Sequence, residues 1–165
     1  MSIKYVKGDA TSPQGSGMKI IAHVDNDVGG WGRGFVLAVS KRWKQPEIAY
    51  REWYKNRYVT NDFSLGAVQF VHVQDDIYVA NMIGQEGVYE KDGVPPIRYD
   101  AVRQCLKKVY EFAKEHNASI HSPRFGAGLA GGKWEEIEKI ITEELVDRGI
   151  DVTIYDFEQT PFGRK

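Results

Sequence analysis

Residues 20–34, IIAHVDNDVGGWGRG, constrain this chain more than any other stretch: an apolar, strand-like run ends in polar residues and passes straight into a glycine-rich loop. Glycine has no Cβ and tolerates positive φ, so a loop of this kind lets backbone N–H groups approach an anion closely. Residues 120–132, IHSPRFGAGLAGG, repeat the arrangement and lead into an amphipathic helix. Two such loops in one chain point to a diphosphate rather than a single anion.

With 165 residues the chain can build one core, so a single domain over 1–157 is expected, followed by a frayed tail at 158–165. Hydrophobic residues at 42% and charged residues at 27% place it among globular rather than disordered or membrane proteins. The formal net charge of −1 argues against a duplex-wide footprint for nucleic acid. Cys105 is the sole cysteine, which excludes an internal disulfide and a cysteine-based zinc cluster; with Val102, Val109 and Phe112 it marks the apolar face of a helix. No run of 18 apolar residues and no leader-like start occur, so a cytoplasmic monomer is the expectation.

Alternation at 3–7, an apolar run at 18–24, two β-rich runs at 67–73 and 77–83, and short strands at 118–121 and 151–155 give the strand pattern. Helices are expected at 35–43, at 46–56 with Pro46 in the first turn, at 99–116, and from Trp134 to a stop at Gly149. Residues 84–98, with three glycines and two prolines, read as a long irregular loop of the functional or mobile kind. The order implies an α/β domain, a three-layer α/β/α fold with a central mixed β-sheet, whose ligands collect at strand carboxyl ends.

Neither a P-loop nor a dinucleotide fingerprint is present, and no HExxH-like cluster suggests a metal. The segments GDAT (8–11), HVDN (23–26), WGRG (31–34), PRFGAGLAGG (123–132) and DVTIYDF (151–157) together make the chain resemble the macrodomain family, which binds ADP-ribose. The resemblance spans residues 3–157. It is nearest the branch of small ADP-ribose 1″-phosphate phosphatases and terminal ADP-ribose glycohydrolases, on His23, Asn26, Trp31, Gly32 and Gly34. The family's larger groups carry an asparagine-rich segment before consecutive glycines, and this chain departs from them.

The resemblance implies a fold like the family's and ADP-ribose or a 1″-substituted derivative as ligand. Asp9 would face the adenine amine, with Gly8 and Ala10 framing the base and Phe157 or Tyr155 covering it. A carboxylate suits an amino group because it only accepts hydrogen bonds, although Asp9 can equally close a local Asx-turn. The pyrophosphate would lie between Trp31, Gly32, Arg33, Gly34, Phe35 and Val36 on one side and Gly126, Ala127, Gly128, Leu129, Ala130 and Gly131 on the other, with helix N-termini near Gly34 and Gly132. Arg33 and Arg124 would be supplementary cations or solvated surface groups. Val24, Asp25, Asn26 and His23 would serve the distal ribose, with His23, Asn26 and Asp25 as the catalytic candidates.

A buried structural histidine is the competing reading of His23. The glycohydrolases' lysine and aspartate fall here on Gln85 and Ala130, which cannot form a Schiff base or move a proton, so that covalent route is not expected. Asp25, Asp27 and Glu86 are carboxylates that could activate water. Hydrolysis of the 1″-phosphate, which the resemblance at His23, Asn26 and WGRG implies, is the leading expectation. A non-catalytic reader, and a hydrolase that frees ADP-ribose from protein or nucleic acid, are the alternatives, and no cofactor is expected. The aromatic, basic segment 41–58 reads either as two helices packed on the sheet or as a single-strand nucleic-acid surface. Nucleic acid is not expected as a partner except as an ADP-ribosylated substrate.

Overall fold

In the computed structural model, residues 2–59 and 61–157 are described; the expected tail at 158–165 lies outside them. The strands are β1 (Lys4–Lys7), β2 (Lys19–Asn26), β3 (Val68–Gln74), β4 (Ile77–Gln85), β5 (Ser119–Ser122) and β6 (Val152–Asp156). The helices are α1 (Phe35–Arg42), α2 (Gln45–Lys55), α3 (Tyr99–His116) and α4 (Trp134–Glu144), and a 3-10 turn follows at Val146–Arg148.

The six strands form one sheet in the order β1-β6-β5-β2-β4-β3, parallel except for the β3–β4 hairpin. The strand β2 reads KIIAHVDN because both of its faces are covered. Its even residues Ile20 and Ala22 join Val102, Cys105, Leu106 and Val109 of α3 in one core, together with Ile137 and Ile141 of α4. Ile21, on the opposite face, packs with Val39 of α1 and with Tyr50 and Trp53 of α2. Apolar residues at helical spacing build α3, which ends at Asn117 in the left-handed conformation (φ 51°).

Trp43, Tyr50 and Trp53 are buried as the packed-helix reading requires, but Ile48 is 57% exposed. Its place four residues from Lys44 and three from Arg51 puts it on the outer stripe of α2, away from Pro46, Tyr50 and Trp53.

The connection from β2 leads to α1 on one face, whereas that from β5 leads to α4 on the other. Because β2 and β5 are parallel neighbours, the two glycine loops diverge from adjacent strand ends and leave a crevice between them.

Candidate functional site

The crevice is a cleft of about 620 Å³, within the range of small-molecule sites. On its first wall stand Gly30, Gly32, Arg33, Gly34, Phe35 and Val36; on its second, Phe125, Gly126, Gly128, Leu129 and Ala130. Val24, Asp25, Asn26 and His23 of β2 contribute to the floor. Leu129 reaches across toward Gly34, where an added Cβ would sit 3.4 Å from its Cδ1.

A single side chain shapes the first loop. Asn26 Oδ1 accepts from the N–H groups of Val28 (3.0 Å) and Gly30 (2.9 Å), and Nδ2 donates to Gly30 O (2.9 Å). The Tyr50 hydroxyl shares its proton between Asn26 O (2.6 Å) and Oδ1 (3.0 Å). Burial, with the Asp25 charge adding to it, raises the Tyr50 pKa and keeps that donor protonated. A register shift between Asp25 and Asn26 turns the chain out of the sheet here. The amide expected at the ribose is therefore already engaged with its own loop, and keeps one N–H over.

Trp31, expected beside the pyrophosphate, stands elsewhere. It is buried, donates to Ser40 Oγ (2.7 Å), lies against Tyr50 and is absent from the cleft wall, so it braces the loop from behind.

His23 lies 1% exposed under the floor, edge-on to Trp31 and tilted against Phe35. Asn81 uses Nδ2 to donate to Pro46 O (3.1 Å) and Gln69 Oε1 (3.0 Å), so its Oδ1 faces His23 Nε2 at 2.7 Å. That nitrogen must carry the proton and has no lone pair to offer a phosphorus atom. His23 Nδ1 lies 3.2 Å from Asp25 Oδ1, close enough for charge attraction but misaligned for a hydrogen bond. Burial works against a charged His23, yet the Asp25 charge and the Asn81 amide outweigh it and raise its pKa; for Asp25 burial itself raises the pKa and outweighs the opposing pull of His23. Nucleophilic attack by His23 is thus set aside on geometry.

The second loop is held by backbone. Gly132 N–H donates to Gly126 O (2.8 Å), Gly131 N–H to Gly128 O (3.0 Å), and Ile97 N–H to Ala130 O (3.1 Å). Positive φ at Gly126 (77°) and Gly131 (76°) turns the chain where a Cβ would strike Ile97 and Pro95. Among the described residues, the N–H groups of Gly34, Phe35 and Val36, and of Ala127, Gly128 and Leu129, have no hydrogen-bond acceptor. Ala127, Gly131 and the α4 N-terminus do not line the cleft, so of the two helix ends expected there only that of α1 opens on it.

The adenine-end residues lie outside the cleft walls. Asp9 Oδ1 closes the local turn onto Thr11, accepting from its N–H (2.8 Å) and hydroxyl (2.7 Å), which leaves Oδ2. Gly8 N–H donates to Asp156 O (2.8 Å) and Ala10 is buried. Phe157 stands 63% exposed at the end of β6, while Tyr155 is buried against His121. Arg124 lines the cleft but forms a two-pronged pair with Asp156 (2.7 and 3.0 Å), which lowers the Asp156 pKa. Arg33 is exposed on the wall and makes no ion pair among the described residues.

The long 84–98 loop supplies the far wall through Val88, Tyr89 and Glu90, with Gln85 at its base. The sequence marked this loop by length and turn residues but singled out none of these three. Of the other carboxylates, Asp27 accepts from Gly87 N–H (2.8 Å) and Glu86 pairs with Arg98 (3.3 Å), so both serve the loop. No group of three or more His, Cys, Asp or Glu side chains among the described residues could hold a metal ion. No helix of the described residues is long and apolar enough to cross a membrane.

A mixed sheet with two glycine loops around a strand-end cleft defines an α/β ligand-binding domain, and comparison with known proteins gives it a family. A protein of unknown function from Bacteroides thetaiotaomicron superposes with a TM-score of 0.92 at 63% identity, over 94% of this chain and 98% of that one. A macrodomain protein from Streptomyces coelicolor does so with a TM-score of 0.84 at 55% identity, over 94% and 99%. The chain belongs to the macrodomain family. The DarTG structure of Thermosipho africanus, solved in complex with ADP-ribose, shares the fold at 16% identity (TM-score 0.72, 99% of this chain and 43% of that one).

Among curated relatives, Chromodomain-helicase-DNA-binding protein 1-like of Danio rerio is 34% identical over 96% of this chain. The chain spans 16% of the length of that protein and 18% of the Mus musculus protein of the same name. An ADP-ribose 1″-phosphate phosphatase of Candida albicans is 24% identical over 86% of this chain and 92% of its own length. No family model matches the sequence.

Proposed function

We propose that this chain binds ADP-ribose in the cleft and hydrolyses the phosphate ester of ADP-ribose 1″-phosphate. One observation carries the reading: Gly34, Phe35 and Val36 of one loop and Gly128 and Leu129 of its neighbour line one cleft, and their N–H groups have no acceptor among the described residues, which is what a pyrophosphate requires. The diphosphate lies between Gly32, Gly34 and Val36 on one side and Gly126, Gly128 and Leu129 on the other, with the α1 dipole and Arg33 adding positive potential. The DarTG complex supports ADP-ribose as the ligand, and the Candida relative supports the 1″-phosphate as the ester.

In this reading the remaining N–H of Asn26 Nδ2 holds a distal ribose hydroxyl. His23 and Asp25 are positioning residues that fix the floor beneath it. Water adds to phosphorus, the P–O bond to C1″ breaks and the proton passes to the departing sugar oxygen, giving ADP-ribose and inorganic phosphate. Orientation of ester and water in the cleft supplies the rate, as high effective molarities allow.

A second reading, a reader without turnover, is favoured by the commitment of His23, Asp27 and Glu86 to protein partners. Phosphate release from ADP-ribose 1″-phosphate separates the two. Steady release that Asn26→Ala diminishes supports the hydrolase; tight binding with no release leaves the reader.

A further inference from the structure

The face of α2 that turns away from the sheet is not absorbed by the cleft. Residues 41–58 carry six basic residues (Lys41, Arg42, Lys44, Arg51, Lys55, Arg57) and two acidic ones (Glu47, Glu52), a surplus of four in a chain of net charge −1. The whole-chain charge conceals this segregation. Pro46, Tyr50 and Trp53 point inward, so helical spacing gathers Lys44, Ile48, Arg51 and Lys55 on the outside, a stripe of about 16 Å.

Aromatic groups sit at the end of that stripe. The Arg57 guanidinium lies 3.7 Å from the Tyr54 ring centroid and 4.4 Å from that of Tyr58, and its Nη1 donates to Tyr54 O (2.8 Å). Tyr58 is 86% exposed, so one face of a cation-backed ring is open to solvent. The same helix touches the first glycine loop one residue short of the cleft wall at Gly30: the Tyr54 ring packs on Gly29, leaving no room for a Cβ there, and Arg51 Nη1 approaches Gly29 O at 3.5 Å.

We propose that the outer face of α2 and the Arg57–Tyr58 stack form a binding surface for single-stranded nucleic acid running past the mouth of the cleft. Phosphates meet Lys44, Lys55 and the outer guanidinium edge of Arg51, whose Nε pairs with Glu47 (3.0 Å), and a base stacks on Tyr58. An acidic peptide would satisfy the charges but leave the aromatic platform unused, and a duplex would not present an unstacked base to it. The surface stands whether or not the cleft takes ADP-ribose, because the test uses unmodified strands.

The experiment is fluorescence anisotropy of the full chain with labelled oligothymidylate and oligouridylate of about 10 nucleotides, beside a duplex and a polyglutamate peptide. Both single strands should bind, with log K falling against log salt at a slope of about −2 for three phosphate contacts. Tyr58→Ala should weaken them about tenfold, and Lys44→Glu/Lys55→Glu should abolish binding while ADP-ribose titrations stay unchanged. Preference for one strand type would name the source as DNA or RNA and uphold the surface. Equal affinity for polyglutamate with no effect of Tyr58→Ala, or no binding to either strand at low salt, overturns the proposal.

Discussion

The two strand–loop units that flank the cleft reach matching shapes by opposite means. β2 passes into a loop held by side chains, with Asn26 tying Val28, Gly30 and Tyr50 together and Trp31 anchored on Ser40. β5 passes into a loop held by backbone bonds and by the lack of side chains: a Cβ on Gly132 would lie 2.5 Å from Gly126 O. The first loop therefore depends on a side chain that truncation removes, whereas the second keeps its shape without one. The strands differ in the same spirit, since each carries a buried histidine: Asp25 raises the pKa of His23 against burial, whereas burial lowers that of His121 to about 4.

Gly132→Val should break the β5 unit most severely, because the clash is with a backbone oxygen that has nowhere to go. A loss of about 3 kcal/mol or more is expected by denaturant unfolding, and a wild-type midpoint would refute the close-approach account. The histidines should tilt stability in opposite directions with pH. The Tyr155 hydroxyl accepts from Gln14 N–H and so turns its own proton to His121 Nδ1, while Nε2 of the neutral ring faces Ser119 Oγ. The unfolded chain takes up a proton at about pH 6.5. His121 therefore contributes stability fully above that value, and about 3 kcal/mol of it is lost as pH falls through about 4. The raised pKa of His23 works the other way: its contribution is complete below about pH 6.5 and is lost as pH rises through the folded value. Unfolding curves of His121→Gln should lack the acid slope, and persistence of that slope would assign it elsewhere.

Asn26→Ala should cost about 2 kcal/mol by leaving the Val28 and Gly30 N–H groups without their acceptor, while the Tyr50 hydroxyl keeps Asn26 O. The sharper test is positional, since hydrogen exchange should rise at Val28 and Gly30 and not in the second loop. Gly32→Glu and Gly128→Glu should have the smallest effect on stability, within about 0.5 kcal/mol, because a Cβ at either position meets nothing within 4 Å. Both should nonetheless fill the cleft, so a variant that folds normally and binds ADP-ribose as well as wild type would remove the ligand from this site.

The same contrast explains how much the sequence disclosed. Periodicity located every strand and helix to within a few residues, because β2 and α3 bury whole faces and the pattern repeats that burial. The two glycine loops were legible for the same local reason. What a side chain does in the third dimension was not: Trp31, Asn26 and His23 bear the expected motif, yet they turn their polar atoms toward Ser40, Gly30 and Asn81. The far wall of Val88, Tyr89 and Glu90 was hidden because no periodic signal marks residues of an irregular loop. Ile48 carries an apolar residue on an exposed helix face, where hydropathy alone points inward.

Calorimetric titration of ADP-ribose into the wild-type chain and into Gly128→Glu tests the central claim most directly. The account predicts one-to-one heat of binding for the wild type and none for the variant at an unchanged melting temperature. Absence of heat with the wild type, or equal affinity in the variant, would contradict it.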